Sequence, residues 1–278
     1  MKLTTQKNQL ITVREGIQLL ADSYHITDQQ PLPLVVFCHG YKGFKDWGAW
    51  ELAMQAMAKA GLFVVKFNFS HNGTTLENPL EFDDLEAFGR NTYSQEQEDL
   101  KAVLDYFSSR DEVDRSQIAL IGHSRGGGTV LVQGSENPMV TKIITWAGVA
   151  DFKRRFPQGQ RFEKWKEEGV FYSVNGRTQQ NMPHYFSFYE DFERHERQFD
   201  IQNCAQHLKK PLLIIQGMAD EAVPVKEAEW LHLWAKNSEL YLLEEADHVF
   251  GARHPWHKKE LPLDLFKVVS QTVAFLRK

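Results

Sequence analysis

Apolar runs alternating with amphipathic stretches set the pattern of the chain. Leu34–Cys38, Leu62–Phe69, Ser116–Ile121, Lys142–Ala147 and Pro211–Gln216 are short and mostly apolar. That is the signature of strands buried on both faces of a parallel sheet. Between them, Trp50–Ala60, Ser94–Ser109, Thr129–Gln133, Val225–Lys236 and Leu265–Leu276 have helical composition. In Ser94–Ser109, for example, Leu100, Val103, Leu104 and Phe107 fall at 3–4 spacing, with acidic residues near the start. Gly61 stops the first of these helices. Glu239–Leu243 reads as a further strand. At the N-terminus, Leu10–Val13 and Ile17–Ile26 flank Arg14-Glu15-Gly16 and read as an antiparallel hairpin, followed by a loop at Gln29–Pro33. The alternation predicts an α/β fold: a mostly parallel sheet flanked by helices, with an antiparallel N-terminal addition.

One span breaks the alternation. From Asp151 to about Ala205 lie about 55 residues between two expected sheet strands, too many for an ordinary loop. They are dense in aromatics, among them Phe152, Phe156, Phe162, Trp165, Phe171, Tyr185, Phe186 and Phe188, interleaved with charges. Such a composition predicts an ordered insertion with its own small core, not a linker. The division expected is a core at 1–151 and 206–278 and an inserted lid at 152–205. The lid would lie over the carboxyl edge of the sheet, where open α/β folds bind ligands.

Composition narrows the classes. Hydrophobic residues at 42%, charged residues at 25% and a net charge of −5 describe an ordinary globular enzyme and carry no nucleic-acid footprint. Two widely separated cysteines, Cys38 and Cys204, make no disulfide framework and fit a reducing compartment. No signal-peptide h-region and no membrane-length apolar run are present, so a cytoplasmic protein without membrane or nucleic-acid partners is expected. The histidines form no recognisable metal-ligand set, and neither a metal nor a cofactor is expected.

The chemistry concentrates at Gln117–Gly128, Q-I-A-L-I-G-H-S-R-G-G-G. A serine between glycines where a strand turns into a helix is the pattern of a nucleophile elbow. The glycines allow strand and helix to approach around a strained serine, and the helix start aims N–H groups at developing negative charge. The segment is no dinucleotide fingerprint, because Ser124 stands where G-x-G-x-x-G needs glycine, and it lacks the G-K-[ST] of a P-loop. A serine hydroxyl needs a base, and a histidine base needs a carboxylate to fix its tautomer. Asp220 follows the strand and glycine turn of Pro211–Gly217, with Glu221 and Asp200 as competitors. His248 follows the strand Glu239–Leu243, with His254 and His257 as competitors farther along. The order Ser124, Asp220, His248 is that of the α/β-hydrolase triad.

With the His39-Gly40 turn, the G-x-S-x-G elbow, the G-x-x-D-x-x-V-P segment at 217–224 and the late histidine, the chain resembles an α/β-hydrolase-fold serine hydrolase. It is similar to the dienelactone-hydrolase-like, feruloyl-esterase-like and serine-aminopeptidase-like branches over nearly its whole length. The resemblance implies an oxyanion hole built from the backbone N–H groups of Tyr41 and Arg125. It also implies cofactor-free hydrolysis of a small-molecule ester, with a short amide or peptide as the alternative substrate. A non-catalytic ligand receptor on the same fold is the alternative of a different class. Trp47, Phe156, Trp165 and Tyr185 are the candidates for the pocket wall. His39 is expected to order the oxyanion loop, His123 to pack below the site, and Arg125 to pair with a neighbouring acid.

Overall fold

A computed structural model describes residues 2–27 and 31–278. The chain runs β1 (Leu3–Arg14), β2 (Ile17–Ile26), β3 (Leu32–Cys38), α1 (Trp50–Lys59), β4 (Phe63–Phe67), α2 (Leu85–Arg90), α3 (Tyr93–Ser108), β5 (Val113–His123), α4 (Arg125–Glu136) and β6 (Lys142–Trp146). A 3₁₀ turn (Lys153–Arg155), α5 (Gln160–Glu168), β7 (Val170–Val174), β8 (Asn181–Tyr185), α6 (Ser187–Arg194) and α7 (Ile201–His207) follow. Then come β9 (Leu212–Gly217), α8 (Val225–Trp234), β10 (Ser238–Leu243) and α9 (Leu263–Leu276).

Eight strands form one sheet in the order β1-β2-β4-β3-β5-β6-β9-β10. The hairpin β1–β2 is antiparallel to its neighbour β4, and the strands from β4 to β10 are parallel, as the pattern predicted. The hairpin's first strand begins at Leu3, well before the apolar Leu10–Val13, because most of Leu3–Arg14 lies half-buried or exposed at a sheet edge and carries no alternation. The loop expected at Gln29–Pro33 lies partly outside the described residues, and Leu32 and Pro33 already belong to β3. Continuous apolar strands are explained by two covered faces. In β3, Leu34, Val36 and Cys38 join the core under α3 and α4, while Val35 and Phe37 join the core under α1 and α9.

The strand order reverses beside β3: β4 pairs on one side and β5 on the other. Such a switch point opens a crevice at the carboxyl ends of the strands. The register there sets Cys38 opposite Gly122, so the turn after β3 meets the turn after β5.

Charged side chains that the hydrophobic pattern had concealed brace this region. Lys45 and Lys66 are fully buried, and their ammonium groups lie 2.9 and 3.3 Å from the Asp22 carboxylate. Asp46 closes the cluster by pairing with both lysines. Unpaired, each ion would cost several kcal/mol of desolvation. Together they pin the 41–49 loop to β2 and β4.

Asp99, buried on α3, accepts hydrogen bonds from Ser70 N–H (2.7 Å) and Gln95 Nε2 (2.8 Å). Burial pushes its pKa up to about 7. Between the unfolded value of about 3.9 and that point, the native protein keeps a proton that the unfolded chain has released. Ionisation of Asp99 therefore lowers stability as pH rises through this window. Asp99→Asn is expected to gain more than about 1 kcal/mol relative to wild type between pH 4.5 and 8, whatever its constant offset. Urea midpoints across that range read the difference, and parallel curves for the two proteins would contradict it.

Candidate active site

Four strand ends bring the site together. The elbow falls where β5 stops: Ser124 has φ 56° and ψ −121°, a left-handed conformation that few non-glycine residues adopt. Backbone bonds hold the strain in place. Ser124 N–H donates to the Trp146 carbonyl (3.0 Å), and its own carbonyl accepts from Gly127 N–H (2.9 Å) and Val149 N–H (3.1 Å). A β-carbon at Gly122 would lie 2.0 Å from the Gly126 carbonyl oxygen, so no larger residue fits. Gly40 is as constrained, since its β-carbon would lie 2.8 Å from that of Ser124. The His39-Gly40 turn thus touches the serine.

Parallel pairing of β9 with β10 puts Gly217 opposite Leu243, which carries Asp220 and His248 past neighbouring strand ends. His248 Nδ1–H donates to Asp220 Oδ2 at 2.8 Å. Asp220 Oδ1 accepts from Ala222 and Val223 N–H, both at 2.8 Å, and Oδ2 also accepts from Gln216 Nε2 at 2.9 Å. Burial alone would raise this carboxyl, but the bonds from His248, Val223 and Ala222 outweigh it and hold Asp220 below the usual carboxylate value. An ionised acceptor on Nδ1–H leaves Nε2 as the free lone pair. Neither Glu221, which is exposed, nor Asp200, which caps α7, reaches His248.

Three other histidines have scaffold partners. His123 Nε2–H donates to the His248 carbonyl (2.9 Å), with its pKa lowered to about 3 by burial. His39 Nδ1–H donates to the Gly40 carbonyl (2.9 Å), its pKa lowered by burial to about 4. His254 Nδ1 accepts from Gly48 N–H at 3.0 Å, away from the serine.

Among the described residues, the N–H groups of Tyr41 and Arg125 are spent on no protein acceptor, and the Ser124 hydroxyl makes no protein hydrogen bond. Arg125 begins α4, where N–H groups are unpaired by geometry. Its guanidinium pairs with buried Glu96 at 2.8 Å.

Ser124 and His248 border two cavities. The larger, of about 510 Å³, lies between the sheet's carboxyl edge and the 151–205 insertion, within the size range of small-molecule sites. Core residues Tyr93, Val149 and Val223 and insertion residues Phe156, Phe171 and Phe188 line it. The smaller, of about 180 Å³, is walled by Trp47, Trp50 and the His39–Gly43 turn. Of the four wall candidates, Phe156 lines the large cavity and Trp47 the small one. Trp165 and Tyr185 line neither. Trp165 is buried, its indole N–H donating to the His184 carbonyl (2.8 Å), and the Tyr185 hydroxyl donates to Glu86. The insertion also lacks the separate core expected of it. Phe152, Phe156, Phe188, Phe192 and Phe199 gather around Tyr93 of α3 and merge with the main core.

Gln216 was not foreseen, although a lone amide ending the apolar run Leu212–Ile215 signalled that a buried polar group needed partners. Tyr41, Ser173 and His184 were not foreseen as a hydrogen-bonded cluster, and sequence spacing offers no sign of it.

The chain has the α/β-hydrolase fold. It matches the prolyl oligopeptidase family over residues 51–268 and belongs to that family. The matched region holds Ser124, Asp220 and His248 and excludes the His39–Tyr41 turn. Human serine hydrolase BPHL is 28% identical over 168 residues, covering 52% of this chain and 55% of that protein. The chain spans about half the length, or less, of the curated relatives it matches. Est1E from Butyrivibrio proteoclasticus, solved with ferulic acid, superposes with a TM-score of 0.75 at 19% identity, covering 97% of this chain and 98% of that one. The esterase domain of a Rhodothermus marinus protein gives 0.66 at 21% identity, covering 100% and 98%. Both are similar in fold. No helix among the described residues is long and apolar enough to cross a membrane.

Proposed function

We propose that the protein cleaves carboxylic esters through an acyl-enzyme on Ser124, with small acyl or aromatic esters as substrates. The observation that carries this reading is the Asp220–His248 pair beside a strained serine with two unspent N–H groups. In the mechanism, His248 Nε2 takes the Ser124 proton as Oγ attacks the carbonyl. The imidazolium is held by Asp220, and the oxyanion is received by the N–H groups of Tyr41 and Arg125. His248 then protonates the leaving alkoxide, and water resolves the acyl-enzyme by the reverse roles. Hydrogen bonds left loose in the free enzyme tighten when substrate arrives. The segment 152–205 acts as a lid, its aromatic side chains forming the apolar wall against the substrate. The free, buried thiols of Cys38 and Cys204 agree with a cytoplasmic setting.

Family membership makes peptides the second reading, and the cavity's chemistry argues against amino-terminal recognition. Among the described residues, no carboxylate lines the larger cavity. Glu163, Glu167, Glu190 and Glu193, the insertion carboxylates that recognition of a free amine would require, are all exposed, and none lines it. An unpaired ammonium in that space, which Arg125 and Arg155 also line, would lose several kcal/mol. Small p-nitrophenyl and naphthyl esters are therefore expected to exceed matched aminoacyl-p-nitroanilides in kcat/KM by at least about 10²-fold. Equal or faster turnover of the anilides would establish the peptidase instead.

A further inference from the structure

One hydrogen-bonded contact between the insertion and the core falls on the proposed oxyanion residue itself. The Tyr41 hydroxyl lies 2.7 Å from Ser173 Oγ on β7 and 2.6 Å from His184 Nε2 on β8, and these two are 3.0 Å apart. The next residue is tied to β7 as well. Lys42, at φ 54°, donates from Nζ to the Val174 carbonyl at 2.8 Å. The Tyr41 ring also lies beneath the Arg125 guanidinium, 5.0 Å from ring centre to Cζ. The side chains of the two residues offering N–H groups to the oxyanion therefore stack on each other.

The cluster is supported from behind. His184 stacks on Phe171 with ring centroids 4.4 Å apart, and its carbonyl accepts from the Trp165 indole. Burial, with the charges of Arg125 and Lys42, lowers its pKa to about 3, so the imidazole stays neutral. With the proton on Nδ1, Nε2 accepts from the Tyr41 hydroxyl, and Ser173 donates to the Tyr41 oxygen. Beneath, Gly40 is pressed against Ser124. The peptide carrying the Tyr41 N–H is thus fixed at one end by the serine and at the other by the insertion.

We infer that Ser173 and His184 are positioning residues that aim the Tyr41 N–H at the oxyanion, so that the insertion completes the oxyanion hole as well as walling the pocket. This rests on the ester-hydrolase reading above. Losing an oxyanion donor outright costs about 10²–10³ in turnover, so misaiming one should cost about tenfold.

The test compares Tyr41→Phe, His184→Phe, their double variant, Ser173→Ala and Ser173→Thr on p-nitrophenyl butyrate, with unfolding midpoints measured alongside. Tyr41→Phe and His184→Phe are each expected to lower kcat about tenfold with KM within about twofold. The double variant should be no slower than the worse single, because both remove one bond. Ser173→Thr should retain the rate that Ser173→Ala loses. An arylboronic acid, which mimics the tetrahedral state, should weaken in proportion to kcat/KM, while benzoate affinity stays constant. If His184→Phe fails to fold, Tyr41→Phe and the Ser173 pair decide. Full kcat in Tyr41→Phe, or equal losses of boronate and benzoate binding, overturns the inference and leaves the hydrolase reading standing. A folded wild type that cleaves no ester and takes no fluorophosphonate overturns both.

Discussion

Asp220→Asn is expected to lower kcat on p-nitrophenyl esters by about 10⁴-fold without unfolding the protein. The hydrogen-bond inventory dictates the result. Four donors converge on this carboxylate: Ala222 and Val223 N–H on Oδ1, and Gln216 Nε2 and His248 Nδ1 on Oδ2. An asparagine has one acceptor oxygen and must turn its amide N–H groups towards one pair. The backbone donors cannot move, so the oxygen stays with them and the new N–H groups face Gln216 and His248. His248 then presents its lone pair to residue 220, carrying its proton on Nε2, where Ser124 needs a base. Binding has no reason to change, so KM should stay within a few-fold. Activity within tenfold of wild type, with circular dichroism unchanged, would show that Asp220 does not set the tautomer.

The second large effect is that of Ser124→Ala, which should remove about 10⁵–10⁶ of kcat. The left-handed conformation is imposed by the bonds to Trp146, Gly127 and Val149, all made by the backbone. Alanine keeps each of them and loses only the hydroxyl, which has no protein partner among the described residues. Stability should therefore stay within about 0.5–1 kcal/mol. What rate survives would come from the oxyanion donors and the cavity acting on water. Loss of activity accompanied by loss of folding would point to a structural role for the residue instead.

The parallel strands β3, β5 and β9 were legible because both faces of the sheet are covered and the runs stay apolar. The proposed acid and base lay past predicted strand ends, so the ordered motifs located them before any geometry was known. What sequence did not disclose depends on pairings remote in the chain. Lys66 sits inside the apolar run Phe63–Phe67, and only the approach of Asp22 and Asp46 makes its burial tolerable. Hydropathy cannot pair such residues. Composition marked the insertion as aromatic and ordered, yet not the direction of its side chains. Trp165 and Tyr185 therefore read as pocket candidates, whereas one is core and the other is bonded to Glu86. Tyr41 drew attention for its backbone N–H, while its hydroxyl proved to bond the insertion through residues more than a hundred positions away.

The account stands most directly on Ser124 being the nucleophile. Treating the folded protein with a fluorophosphonate and mapping the adduct by peptide mass spectrometry puts that to a single reading. One adduct per chain, on Ser124 and lost when His248 is replaced by alanine, is the predicted result. An adduct on another residue, or none on protein shown to be folded, would contradict it.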